Sequence, residues 1–374
     1  MSIHRLPTPP GTPGTPADRA ASAHAGPDLV SSQRPRSAKV VPIRPASPTP
    51  SPLFPSSPPD PAPTVSRALR PVLSLVRREP LRPALLLTTL VIAADALGIA
   101  FGGWHLVARD FAVLAAALAA LALPLLAPRY RHDPRIAPAL RCAALLLVFQ
   151  AAAACLSYLL IALAPPLTDA TLARWDAALG IDWRVLRQSQ AALPALAQIV
   201  LSAAYDSGLP QILAVVLYLG FSGRGDRLHD FMNRYAAVTL LVILLSAPIP
   251  AAGAFKHFGL GPVADLWHFE ALRDGSLRTL SLQAMQGLIS MPSLHAAMAV
   301  LLAQALFATP LRWPALALNA LMLAATPVLG GHYVVDVIAG MAVAAAAIAW
   351  RPSRPSRPSR HFGPFRSPRP TAPR

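Results

Sequence analysis

His332 and Asp336 stand four positions apart in the segment Gly331-His332-Tyr333-Val334-Val335-Asp336. On a helix such a pair shares one face. The carboxylate can then accept from one imidazole nitrogen, fix the tautomer and leave the other nitrogen free to attack. A second histidine, His295, follows Pro292-Ser293-Leu294. Proline suits the first turn of a helix, where its missing donor costs nothing. The free N–H groups of that turn, with Ser293 among them, point to where an anion would sit. His295 could then protonate a departing alkoxide as general acid. Each motif has a plainer alternative: a membrane-interface His beside a capping Asp, and a His that only anchors a helix end.

The chain that must bring these residues together has 374 residues, of which 54% are hydrophobic and 13% charged, with a mean hydropathy of +0.46. Soluble domains carry about 25% charged residues, so this composition belongs in a bilayer. Eight apolar runs are long enough, or nearly so, to cross it: 83–102, 110–127, 141–164, 197–221, 235–254, 293–309, 314–329 and 334–350. The fourth run is interrupted by Tyr205-Asp206-Ser207-Gly208-Leu209-Pro210. Because Pro210 needs a helix start, Asp206 reads as an N-cap, with a separate interfacial helix before it. Cys142 and Cys155 lie in one apolar run and read as packed thiols.

The formal charge of +16 is concentrated in arginines at the two ends and in a few loops. Arginines precede run one and follow runs two, four, six and eight, singly as Arg312 after run six. If each run crosses once, all of them fall on one side, the cytoplasm. Both termini are then inside, and His295 and His332 reach the outer face together. No signal peptide is visible. Residues 1–66 form a Pro-rich arm that cannot order into helix or paired strand. Residues 67–140 carry two N-terminal membrane helices, 141–350 the catalytic transmembrane domain, and 351–374 a tail with seven arginines and no acid. That tail suits anionic lipid headgroups. No stacking aromatics or folded module accompany its charge, so nucleic acid is not the expected partner.

Met291-Pro-Ser-Leu-His-Ala-Ala and Gly330-Gly-His-Tyr-Val-Val-Asp-Val-Ile-Ala-Gly340 resemble the second and third signatures of the type 2 phosphatidic acid phosphatase superfamily. The His-Tyr-x-x-Asp pattern and the stretch Arg174–Trp183 (RWDAALGIDW) are similar to its inositol phosphorylceramide and sphingomyelin synthase branch, in bacterial members. The resemblance covers roughly residues 141–350. It implies an all-α bundle of about eight transmembrane helices with a six-helix catalytic core in the cell (inner) membrane. It also implies a two-step transfer from a lipid phosphate. His332 attacks phosphorus, Asp336 orients it, His295 protonates the leaving group, and a phosphohistidine passes to water or a hydroxyl acceptor. No metal or other cofactor is expected.

Two departures bear on the phosphate site. The superfamily's phosphatases carry an Arg six residues before the nucleophilic His, where this chain has Thr326, and their first signature is absent. Phosphoryl oxygens still require positive charge. Lys256, at the outer end of run five, is the candidate contact, with Arg273 and Arg278 in the same loop. The Thr326 departure leans toward a transferase. Rival readings are a metal-dependent membrane hydrolase, since two His and an Asp can bind zinc, and a non-catalytic membrane protein with a degenerate site.

Overall fold

The computed structural model describes residues 79–260 and 267–350. The Pro-rich arm, the arginines before residue 79 and the basic tail lie outside the described residues.

Each apolar run has a helical counterpart. Helices α1 (Arg82–Gly102), α2 (Ala108–Leu126) and α4 (Ile136–Ile161) follow in order, with the short α3 (Pro128–Arg131) between the last two. Beyond them lie α5 (Asp169–Ala178) and α6 (Trp183–Ala191). Next come α7 (Ala195–Asp206), α8 (Gly208–Phe221) and α9 (Gly225–Ser246), then two short helices, α10 (Ala254–Phe258) and α11 (Trp267–Arg273). The bundle closes with α12 (Leu294–Leu306), α13 (Arg312–Gly330) and α14 (Val334–Ala349). Among the described residues, five helices are long and apolar enough to cross a membrane: α1, α2, α4, α9 and α13. The pair α7–α8 makes a sixth if taken as one span, bent by 58°. Helices α12 and α14, with 13 and 16 residues, fall short of that length. Packing inside the bundle stabilises them: α12 lies against α13, α14 and α9.

The break in the fourth run falls where proline requires it, but its capping differs from the expectation. Asp206 is the exposed last residue of α7, not a cap. Ser207 stands between the two helices, and its hydroxyl donates back to the Ala204 carbonyl at 2.6 Å. The proline therefore bends the run without help from a carboxylate.

One apolar cluster joins α1, α4, α8, α9 and α12, around Phe149, Leu219, Met232, Val242 and Leu301. The first two helices are tied to the rest at one end as well. Strand β1 (His105–Leu106), in the α1–α2 turn, pairs in parallel with β2 (Thr279–Leu280). Beside it, buried Asp110 of α2 accepts from the Ser281 hydroxyl at 2.5 Å. At this same end α13 stops at Gly331, in the left-handed region at φ 64. Only glycine takes that conformation without strain, and it lets the chain turn back at once into α14.

Helices α12 and α14 cross at Gly340. A Cβ there would run into the Ser293 carbonyl and the Ala296 methyl. Small residues at such crossings let membrane helices approach closely. We expect Gly340→Val to force the two helices apart and to cost about 1–3 kcal/mol by overpacking. Thermal unfolding in detergent micelles measures this, and an unchanged melting temperature would contradict the close crossing.

Candidate active site

The two histidines meet at the end of the bundle that carries the long loops. Their ring centroids lie 6.1 Å apart, at 67°. His332 occupies the turn between α13 and α14 and is 5% exposed. Its Nδ1 lies 3.0 Å from the Ser290 carbonyl oxygen. A carbonyl only accepts, so the proton sits on Nδ1, and Nε2 is left with a lone pair. The cavity against this ring measures about 240 Å³ and is lined by Tyr205, Phe255, Phe269, Ser290, Gly331 and His332, among others.

Asp336 stands near His332, but the expected direct contact is too long for a hydrogen bond: Oδ2 is 3.7 Å from Nδ1. Oδ2 is instead occupied by the Tyr333 N–H at 3.0 Å and the Ser290 hydroxyl at 2.7 Å. The carboxylate is fully buried. It therefore orients the imidazole indirectly, by holding both the turn that carries His332 and the residue whose carbonyl anchors Nδ1. Ser290 was not singled out in the sequence; nothing local marks it.

Pro292 precedes the helix rather than opening its first turn. Ser293 is the N-cap of α12, and its Oγ accepts from the Ala296 N–H at 3.3 Å. It is fully buried. Its expected contact with a bound anion is thus replaced by a capping bond, because the cap position turns the hydroxyl inward. His295, one turn in, shows no hydrogen bond among the described residues. It is held by stacking: the Tyr205 ring lies over it, centroid to centroid 4.4 Å, at 21°. Tyr205 also packs against Gly330. The bend between α7 and α8 brings it there. The break was legible in the sequence; the aromatic partner was not.

The expected cation is committed elsewhere. Lys256 forms an ion pair with Glu270. Arg278 stacks over Trp104 at 4.9 Å, away from the cavity. Arg273 donates to the Pro165 carbonyl at 2.6 Å. Thr326 is buried, and its hydroxyl donates to the Met322 carbonyl at 2.7 Å, so that position offers the cavity no polar group. Among the described residues no three His, Cys, Asp or Glu side chains converge as metal ligands would.

The stretch 174–183 has a physical role. Asp176 is fully buried at the start of α14, where its carboxylate accepts from the Val334 and Val335 N–H groups at 2.9 and 3.0 Å and from the Trp183 indole at 2.8 Å. These N–H groups are the orphans of a helix start, and the positive end of the helix dipole favours the carboxylate there. Asp182 caps α6 through the Arg184 N–H at 2.8 Å. Asp169 accepts from the Ala252 and Gly253 N–H groups at 3.0 and 2.9 Å and from the Tyr333 hydroxyl at 3.0 Å. Burial, and after it the Asp169 carboxylate, raise the Tyr333 pKa, which keeps this hydroxyl a donor.

Residues 170–350 match the family model of the PAP2 superfamily. The matched stretch holds both histidine motifs and the Asp176 clamp. It begins after α4, so it is shorter than the resemblance read from about residue 141. No curated protein and no solved structure matches the chain. The match supports a lipid-phosphatase-like enzyme, and the apolar helices support a place in a membrane.

Removing the Asp176 carboxylate strands two buried helix-start N–H groups and an indole donor. We expect Asp176→Ala to destabilise the fold by about 3 kcal/mol, read as a drop in melting temperature, with Asp176→Asn losing less. A variant as stable as the parent would show that the clamp is dispensable.

Proposed function

We propose that this chain is a membrane-embedded PAP2-type enzyme that transfers the phosphoryl or phospho-headgroup of a lipid through a phosphohistidine on His332. The observation that carries the reading is the His332 ring, anchored at Nδ1 by the Ser290 carbonyl, with Nε2 free and His295 facing it. Nε2 attacks phosphorus; an N–P bond forms and the P–O bond to the leaving group breaks. His295, protonated, gives its proton to the departing oxygen. It then takes one from water or an acceptor hydroxyl, whose oxygen attacks the phosphohistidine and releases His332. In both half-reactions one imidazole is nucleophile or leaving group and the other carries the proton.

Water and a hydroxyl acceptor use the same residues. Thr326, in place of a cation, favours the transferase, with an inositolphosphotransferase-like enzyme as the finer reading. The arginine pattern supports cytoplasmic termini and a site facing outward, at the depth of lipid phosphates in the cell (inner) membrane. The basic tail suits anionic headgroups on the cytoplasmic side. Chain organisation follows: a Pro-rich arm at 1–66, two membrane helices at 67–140, and the catalytic domain at 141–350.

His332→Ala is expected to lower turnover of dioctanoyl phosphatidic acid in micelles by at least about a thousandfold. It should also abolish acid-labile phosphate labelling of the protein. Turnover that survives the substitution would sink the phosphohistidine reading. Tyr205→Phe keeps the ring over His295 and should retain activity within a few-fold. Tyr205→Ala removes it and should lower kcat by about ten- to a hundredfold, as misplacement of a catalytic group does, with KM little changed. Equal activity of the two variants would show that stacking does not position His295.

A further inference from the structure

The cavity against His332 has a chemical gap. No lysine or arginine is among its lining residues, yet a phosphoryl group brings negative charge that must be met, most of all in the transition state. Two guanidinium groups lie against aromatic rings of that lining. Arg187 of α6 lies over the Phe255 ring at 5.1 Å, and Arg273 of α11 lies over the Phe269 ring at 5.5 Å. Both rings line the cavity.

Their hydrogen bonding sets them apart from Lys256. That lysine also approaches Phe269, at 6.0 Å, but its charge is met by Glu270. Among the described residues, neither Arg187 nor Arg273 has a carboxylate within ion-pair distance. Arg187 Nη1 reaches only neutral acceptors, the Gln190 side-chain oxygen at 2.5 Å and the Val328 carbonyl at 3.3 Å. Val328 adjoins Leu329 and Gly330, which line the cavity, so this guanidinium sits beside the turn that carries His332. Arg273 spends Nη2 on the Pro165 carbonyl, while its Nη1 is buried with no partner among the described residues. A buried donor without an acceptor is costly. A phosphoryl oxygen in the adjoining cavity would supply one.

We infer that Arg187 and Arg273 are the cations of the phosphate subsite, approaching a bound lipid phosphate from the Phe255 and Phe269 sides of the cavity. This rests on the proposed phosphoryl-transfer function and adds to it the groups that meet the charge. Guanidinium suits the task, because its planar fork presents several donors to tetrahedral oxygens and keeps its charge when partly buried.

The test uses the full chain carrying His332→Asn, which cannot turn over, and equilibrium binding of dioctanoyl phosphatidic acid in micelles. Adding Arg187→Gln or Arg273→Gln should weaken binding about tenfold each. Binding of dioctanoylglycerol, which lacks the phosphate, should not change. Unchanged affinity for the phosphatidic acid would overturn the inference. So would an equal loss for both lipids, which marks a structural role only. Where a glutamine variant does not fold, Arg→Lys at the same position keeps the charge but not the fork. The expected loss is then about threefold, and full retention counts against the subsite. Binding is read without catalysis, so its failure is distinguishable from failure of the phosphohistidine reading, which the turnover of His332→Ala decides.

Discussion

Backbone N–H groups at the start of α14 have no intrahelical acceptor, and buried carboxylates fill that need. Asp176 takes two of them and Asp336 takes the Tyr333 N–H. Asp169 binds the Tyr333 hydroxyl and two N–H groups of the segment before α10. Three carboxylates this close would repel one another if unpaired. Here the donors and the helix dipole offset that repulsion. His332 takes its place from this arrangement: the preceding helix ends at Gly331, the following one is clamped at its first residues, and the ring lies between. The same Asp336 oxygen holds the Ser290 hydroxyl, so the residue that anchors the imidazole is positioned by the clamp that fixes its turn.

The mutual position of the two histidines depends on a second contact, between helices rather than along one. At Gly340 the α14 backbone meets the Ser293 carbonyl, and the Ser293 N–H donates to the Asp336 carbonyl at 3.0 Å. The cap of α12 is thus bonded to the first turn of α14. His295 lies in the first turn of α12 and His332 in the turn just before α14, so their separation is set by backbone contacts, which tolerate little drift. Tyr205 adds orientation to that separation by covering the His295 ring. The bent α7–α8 segment serves the site in this way.

Local pattern made part of this legible. Apolar runs gave the helices, because in a membrane span most residues must be apolar whatever their partners. The i,i+4 spacing brought Asp336 near His332, and the alternation of arginine-rich loops placed both histidines at one end of the bundle. What stayed hidden depends on remote partners. Asp176 meets residues of α14, and Ser290 serves a histidine beyond two intervening helices; neither has a local signature. Lys256 looked like a free cation because Glu270, its counter-charge, lies on another short helix. Asp206 looked like a cap because proline implied a helix start, but the bend was made without its carboxylate.

The size of the cavity constrains the reading of what enters it. Sites for drug-sized ligands usually measure about 300–1,000 Å³, and this one, at about 240 Å³, is smaller. A phosphorylated headgroup suits such a space, whereas acyl chains would have to lie outside it, along the apolar helix faces. This favours a substrate that offers only its phosphate to the cavity. Phe255 and Phe269 line that space, and on the proposed reading the guanidinium groups of Arg187 and Arg273, which lie against these rings, supply its charge. On this view the aromatic lining and the absence of a lysine or arginine in it are one feature.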